Sequence, residues 1–446
     1  KTMLYFCGNQ IRILEAGVTV PDELENDGSP SRKSGWLDLS RVRIAINYQD
    51  EWSQMFREAW RLQKEFFWNE QLSGVDWNII YRRYESLLSR IGSRSELSDL
   101  IWEMQGELGT SHAYEYGGDY PFSPQYPVGQ LGADLEYEPS RKAWVFRKIY
   151  RGDVWRSHQH SPLAEPGHSV QENDHLLEIG GLPLDGSTSP GELLVHQAGQ
   201  AVQLTVKTPG KKQSNRKIIV KTLLHEGKTR YREWVKQNLK FVEEQSSGRV
   251  GYLHIPDMDT EGIAEFHRGF LSQVDREGLI IDVRFNAGGW VSPLVLEKLT
   301  HRHLGYDVPR WGSPESYPYH TLRGHLVLIT NQFTGSDGDM FTASFKQLKL
   351  GKVIGKRTWG GVVGIDGRYH LVDGTTTTQP QYSIWFHHAG WSVENYGVDP
   401  DLVVEDSPQS YSNGIDHQLK RAVDVIEQIR EKDPLPKIRD FNGNAR

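Results

Sequence analysis

The 446 residues carry 51 Lys and Arg against 58 Asp and Glu, a formal net charge of −7 with no basic block, which argues against nucleic acid as a partner. Hydrophobic residues make up 37% and charged residues 24%, a globular composition, and the length suits roughly two to four domains. No apolar run approaches about 18 residues, so no membrane span is expected, and a single cysteine, Cys7, leaves no intramolecular disulfide and fits a reducing cytoplasm.

The first residue is Lys, which fits a processed chain or a fragment of a longer one. Residues 1–20 alternate like short strands, and 21–36 read as a Pro, Gly, Ser and Asp-rich linker. Three helices are expected next. The first runs from Asp50 to about Glu70, with Met55, Phe56, Ala59, Trp60, Phe66 and Phe67 at helical spacing. The second is Trp77 to Ile91. Ser93 and Glu96 form a capping-box pattern that opens the third, Glu96–Leu108, which ends at Gly109. From about 160 to 235 short strand patterns such as "HLLEIGGLPLDG" and "AVQLTVKT" predict a small β domain. From 249 onward buried-type strands alternate with helices: "RVGYLHI", "GLIIDVR", "HLVLIT" and "KVIG". That alternation predicts an α/β layer with much parallel pairing, closed by an amphipathic helix at Asp416–Lys432.

Open α/β sheets place ligands beyond the carboxyl ends of their strands. Ser336 stands at such an end, in Thr334-Gly335-Ser336-Asp337-Gly338-Asp339, at the mouth of a predicted helix. Such a serine is either a nucleophile whose developing oxyanion meets helix amides or an ordinary N-cap. A second strand-end turn, Asn286-Ala287-Gly288-Gly289, either offers amides to an oxyanion or is a plain tight turn. A nucleophilic serine needs a base. Among 17 His, His112 stands out because Gly109-Thr110-Ser111-His112 leaves a helix into irregular chain, where the Ser111 hydroxyl could bond the imidazole. Glu394, in "WSVENYGVDPD", is a carboxylate in another loop. On their own segments His112 and Glu394 read as surface loop residues, and spacing alone cannot link them.

Together "GTSHAYEYGGDY", "IIDVRFNAGGWVSPLVLEKL", "TGSDGDMFTASFKQLKLGKVIGKRTWGGVVGI" and "SVENYGVDPD" resemble the catalytic half of the tricorn protease family, self-compartmentalising serine peptidases related to the C-terminal processing peptidases. The resemblance covers about residues 40 to 430. It implies a multidomain α/β chain: a β-propeller remnant and linker (1–36), a helical segment carrying the His loop (37–158), a PDZ-like β domain (159–240) and an α/β peptidase domain (241–446). It implies a tetrad, with Ser336 as nucleophile, His112 as base, Ser111 orienting His112 and Glu394 holding Ser111. The amides of Gly289 and Asp337 would form the oxyanion hole, with Gly288 as the alternative to Gly289. Asp307, in "HLGYDVPR", falls where the family has an acidic determinant for Lys or Arg at P1, reaching the site from a neighbouring subunit of a hexamer.

The related processing peptidases pair their serine with a lysine in a Gly-Lys-Gly context. The matching place here is "RTWGGVVG", which has no lysine, so a histidine-based tetrad is left. The resemblance implies hydrolysis of unfolded proteins or oligopeptides to short peptides, in the cytoplasm, with aminopeptidases acting downstream. No cofactor or metal is expected, because HExxH and Cys/His clusters of ligand spacing are absent. A catalytically silent, PDZ-bearing peptide-binding or scaffold protein is the alternative. An α/β-hydrolase esterase fails on spacing, because Gly335-Ser336-Asp337-Gly338 is not G-x-S-x-G.

Overall fold

A computed structural model describes residues 1–17, 19, 28–153, 156, 159–210 and 215–439. Its centre is a five-stranded parallel sheet, in the order Val250–His254, Gly278–Asp282, His325–Thr330, Gly351–Gly355, Leu402–Val403. Every residue of the first two strands is buried. A parallel sheet covered on both faces demands that, and it is why these segments read as unbroken apolar runs. Helices Thr260–Phe270, Ser292–Thr300 and Asp337–Gln347 cover one face, packing Phe266, Phe270, Val295, Phe341 and Phe345 onto Leu279, Ile281 and Leu328. Helices Gly227–Ser246 and His417–Lys432 cover the other, through Val242, Leu419, Ala422 and Ile426 against Ile280, Val327 and Ile354. All strands point the same way, so the loops after Asp282, Thr330 and Gly355 gather at one edge.

Helices Tyr48–Phe66, Trp77–Glu85 and Arg94–Gly106 form a separate core around Met55, Phe56, Ala59, Ile80, Leu97 and Ile101. Both halves of the Ser93–Glu96 capping box are formed. Leu371, from far downstream, completes this core. Arg94 pairs with Glu115 at 2.8 Å and Asp373 at 2.7 Å, all three side chains being buried. The short pairing of Glu115–Tyr116 with Thr376–Thr377 extends the same seam. These contacts bring the loop that follows the third helix onto the α/β domain.

The small β domain is a six-stranded sheet, running Ala133–Glu138, Ala143–Ile149, His175–Ile179, Ala201–Lys207, Asn215–Lys221, with Leu182–Pro183 beside His175–Ile179. Its first two strands precede residue 159, the point where the sequence pattern turns plainly β. Near the amino end Thr2–Cys7 pairs with Gln10–Glu15 as an antiparallel hairpin. Among the described residues no helix is long and apolar enough to cross a membrane.

Candidate active site

The serine turn is built by the strand end before it. The Thr334 hydroxyl donates to the Val283 carbonyl at 2.8 Å, and the Gly335 amide to the Asn286 carbonyl at 3.0 Å, so the ends of two neighbouring strands are tied together. Ser336 follows as N-cap of helix Asp337–Gln347, with φ 55° and ψ −120°. A β-carbon makes that conformation costly, roughly 1–3 kcal/mol, and such strain concentrates at functional sites. The Ser336 side chain caps no helix amide. The N-cap role is thus unfilled, and the hydroxyl is left to other chemistry.

The glycine turn lies against it. The Trp290 and Val291 amides both donate to the Met258 carbonyl, at 2.6 and 2.9 Å, and the Met258 amide donates to the Gly288 carbonyl at 2.7 Å. The Gly288 amide is engaged with Asn286 Oδ1 at 2.9 Å. The Gly289 amide has no acceptor among the described residues, and neither has that of Asp337, the first residue of its helix. The buried Asp337 carboxylate accepts from the Ser292 amide at 2.9 Å and from the Ser292 hydroxyl, which fastens the glycine turn to the serine turn, and burial pushes its pKa up. A β-carbon on Gly288 would stand 2.4 Å from Ser336 Cβ and 3.0 Å from its Oγ. Gly288→Ala is therefore expected to displace the hydroxyl and lower reaction with a serine-directed probe on the order of 100-fold. Its backbone, at φ 83°, adds a stability cost of about 1 kcal/mol, read by thermal unfolding.

His112 and Glu394 meet through Ser111. Glu394 accepts from the Thr110 hydroxyl at 3.1 Å, the Ser111 amide at 2.7 Å and the Ser111 hydroxyl at 3.2 Å. It also accepts from the amides of Val362 and Val363, at 2.7 and 3.2 Å. Ser111 Oγ lies 2.8 Å from His112 Nδ1. A hydroxyl has one proton, and a carboxylate can only accept. The Ser111 proton therefore points to Glu394, and its oxygen accepts from Nδ1–H, which leaves the Nε2 lone pair free. His112 holds φ 63°, pinned by the Thr378 hydroxyl, which donates to its carbonyl at 2.6 Å. Burial lowers the imidazole pKa, and the Glu394 charge opposes that shift. A neutral imidazole at pH 7 is the form that can take a proton.

Trp359 links His112 to the serine turn. Its ring centroid is 5.2 Å from that of His112 in an edge-on arrangement. Its Cε3 would lie 2.9 Å from a β-carbon on Gly335, beside Ser336, and its amide donates to the Thr334 carbonyl at 2.9 Å. Ser336 and His112 thus share one rim, and among the described residues no hydrogen bond joins them.

Three family models match: the tricorn protease C1 domain over residues 48–106, the tricorn protease PDZ domain over 129–225 and peptidase family S41 over 249–404. A tricorn protease homolog of Saccharolobus solfataricus is 47% identical over 399 residues, 89% of this chain and 36% of that protein. A putative tricorn-like protease C-terminal subunit of Sulfurisphaera tokodaii is 44% identical over 404 residues, 90% of this chain and 46% of that protein. The crystal structure of the tricorn protease superposes with a TM-score of 0.86 at 38% identity, over 94% of this chain and 40% of that one. The chain belongs to the tricorn protease family. It spans less than half the length of these relatives.

Within the tricorn architecture, Ser336, Gly289, Asp337, Glu394 and Asp307 fall in the S41 match, while Ser111 and His112 lie between the C1 and PDZ matches. Asp307 has a different setting from the others. It is exposed on the hairpin of Gly305–Asp307 with Glu315–Tyr317, where it bonds the Tyr319 hydroxyl and raises the pKa of that phenol. A cleft of about 790 Å³ opens beside Trp359 and Asn395, lined also by Lys356, Arg357, Tyr396 and Glu405. Sequence reasoning passed over Trp359, Thr378 and Asp339. Only Asp339 left a local signal, the Ser-x-x-Asp spacing from Ser336.

Proposed function

We propose that the chain is the catalytic part of a tricorn-type serine peptidase that cuts unfolded proteins and oligopeptides to short peptides. Ser336 Oγ attacks the scissile carbonyl carbon, and its proton passes to His112 Nε2. The carbonyl oxygen becomes an oxyanion, met by the amides of Gly289 and Asp337 at a helix amino end. The C–N bond breaks as His112 returns the proton to the leaving amine. Water then attacks the acyl ester by the same route in reverse, restoring Ser336. Ser111 and Glu394 hold the imidazole in its Nδ1–H tautomer throughout. The relay from Glu394 through Ser111 to His112 carries this reading, since it leaves Nε2 as the one basic ring nitrogen. The absent Ser336–His112 bond is compatible with it, because catalytic hydrogen bonds commonly tighten only with substrate bound.

Asp307 is assigned to recognise Lys or Arg at P1, delivered from a neighbouring copy in a homo-oligomer, which its exposed place on a hairpin permits. The short products suit aminopeptidases downstream. Digestion of an unstructured polypeptide, with the new carboxyl termini read by mass spectrometry, tests the reading. Ends dominated by Lys and Arg are expected, and Asp307→Ala should lower kcat/KM for an Arg substrate roughly 10- to 100-fold. Ends without basic preference would remove Asp307 from specificity. Absence of any cleavage, together with no labelling of Ser336, would remove the peptidase assignment.

A further inference from the structure

Asp339 is wholly buried on the helix that Ser336 opens, three residues beyond the serine. In an ordinary cap a serine and an acid at that spacing bond each other's amides. Here the Ser336 hydroxyl takes no part, while the carboxylate, besides meeting the Ser336 amide, reaches across to another segment. The Gly360 amide donates to Asp339 Oδ1 at 2.9 Å and the Gly361 amide to Oδ2 at 3.3 Å. The next two amides along, Val362 and Val363, donate to Glu394 at 2.7 and 3.2 Å. Consecutive amides of one segment are thus divided between a carboxylate on the nucleophile's helix and the carboxylate that holds Ser111. Trp359, one residue earlier, contacts both His112 and the turn at Gly335. The segment cannot readily slide. Gly360 has φ 90°, and a β-carbon there would stand 2.5 Å from the Gly397 amide nitrogen.

We propose that Asp339 is a positioning residue of this site, which anchors the segment Thr358–Val363 to the nucleophile's helix and thereby sets the separation of Ser336 from His112. The inference rests on the tetrad reading above. It requires an ionised Asp339, because only the carboxylate accepts from both glycine amides without presenting a proton to them. The groups that face it are the Ser336 amide and the Thr358 hydroxyl, besides those two amides, and all four favour the charge, while burial pushes the pKa up to about 6. Protonation below that pH withdraws an acceptor from the segment and loosens it. On the acid side two events then lower activity together: charging of His112 and neutralisation of Asp339.

The test compares wild type, Asp339→Asn, Thr358→Val and Ser336→Ala from about pH 5 to 8. The readouts are kcat and KM on a Lys or Arg peptide amide and the inactivation rate by a phosphonate bearing Lys. In Asp339→Asn, kcat and the inactivation rate are expected to fall on the order of 10- to 100-fold near neutrality, with KM nearly unchanged. The acid limb of log rate against pH should be shallower in Asp339→Asn than in wild type. Thr358→Val removes one donor to the carboxylate and should move that limb to higher pH, which decides the matter if Asp339→Asn does not fold. A folded Asp339→Asn with wild-type kcat and slope, or Thr358→Val with an unmoved limb, overturns the positioning role. If Ser336→Ala still reacts as wild type does, the tetrad reading falls and takes this inference with it. If Ser336→Ala is inert and Asp339→Asn is normal, only the role of Asp339 falls.

Discussion

Ser336→Ala is expected to end covalent labelling by a Lys-bearing phosphonate and to lower peptide hydrolysis by a factor on the order of 10⁴ or more. The size follows from what the change removes. In the proposed mechanism the Ser336 hydroxyl is the attacking group, and without it there is no acyl intermediate. What survives is binding and the oxyanion donors acting on water, a small residue of the whole. The fold should not suffer. The hydroxyl caps nothing, and Ala meets the same φ of 55° with the same β-carbon, so the melting temperature should stay close to wild type. Intact protein mass after exposure to the probe reads the first expectation, and turnover of a fluorogenic Arg peptide reads the second. A variant that still takes up the probe at the same position would mean that the nucleophile is elsewhere.

The strand cores were legible because both faces of the central sheet are covered. Segments such as Gly278–Asp282 have no polar alternation to confuse the pattern. The helix Gly227–Ser246 was not legible. Its inward residues, Val235, Leu239 and Val242, are scattered among Lys, Arg and Glu, and Glu226 gives no capping bond to mark its start. The strands Ala133–Glu138 and Ala143–Ile149 hid in the same way, because Glu136 and Glu138 both pair with Arg147, which puts charges among the apolar positions. Nothing in spacing could link Glu394 to Ser111, since 283 positions separate them. Only the resemblance to a family supplied that link, and the contact that realises it depends on the seam made by Arg94, Glu115 and Asp373. Asp339 was passed over for a different reason. Its place in the first turn of a helix makes it indistinguishable in sequence from ordinary helix-start charge.

Glu394→Ala and Ser111→Ala are expected to lower kcat/KM by about 10²–10⁴, and the double variant to fall little further than Glu394→Ala alone. The two side chains act in series. Ser111 keeps His112 in the Nδ1–H tautomer only while its own proton is committed to Glu394, so removing either member frees the ring to turn or to protonate at the wrong nitrogen. Effects in series do not add, and a double-mutant cycle should show coupling close to the smaller single effect. The two differ in what else they touch. Ser111→Ala leaves the bonds from the Val362 and Val363 amides to Glu394 intact. Glu394→Ala strips the acceptor from those amides and from the Ser111 amide, each costing roughly 1–3 kcal/mol where water cannot replace it. Its melting temperature should therefore fall while that of Ser111→Ala holds. Hydrogen exchange should quicken at Val362 and Val363 in Glu394→Ala alone. Additive losses in the cycle would break the relay, leaving Ser111 and Glu394 as independent neighbours of His112.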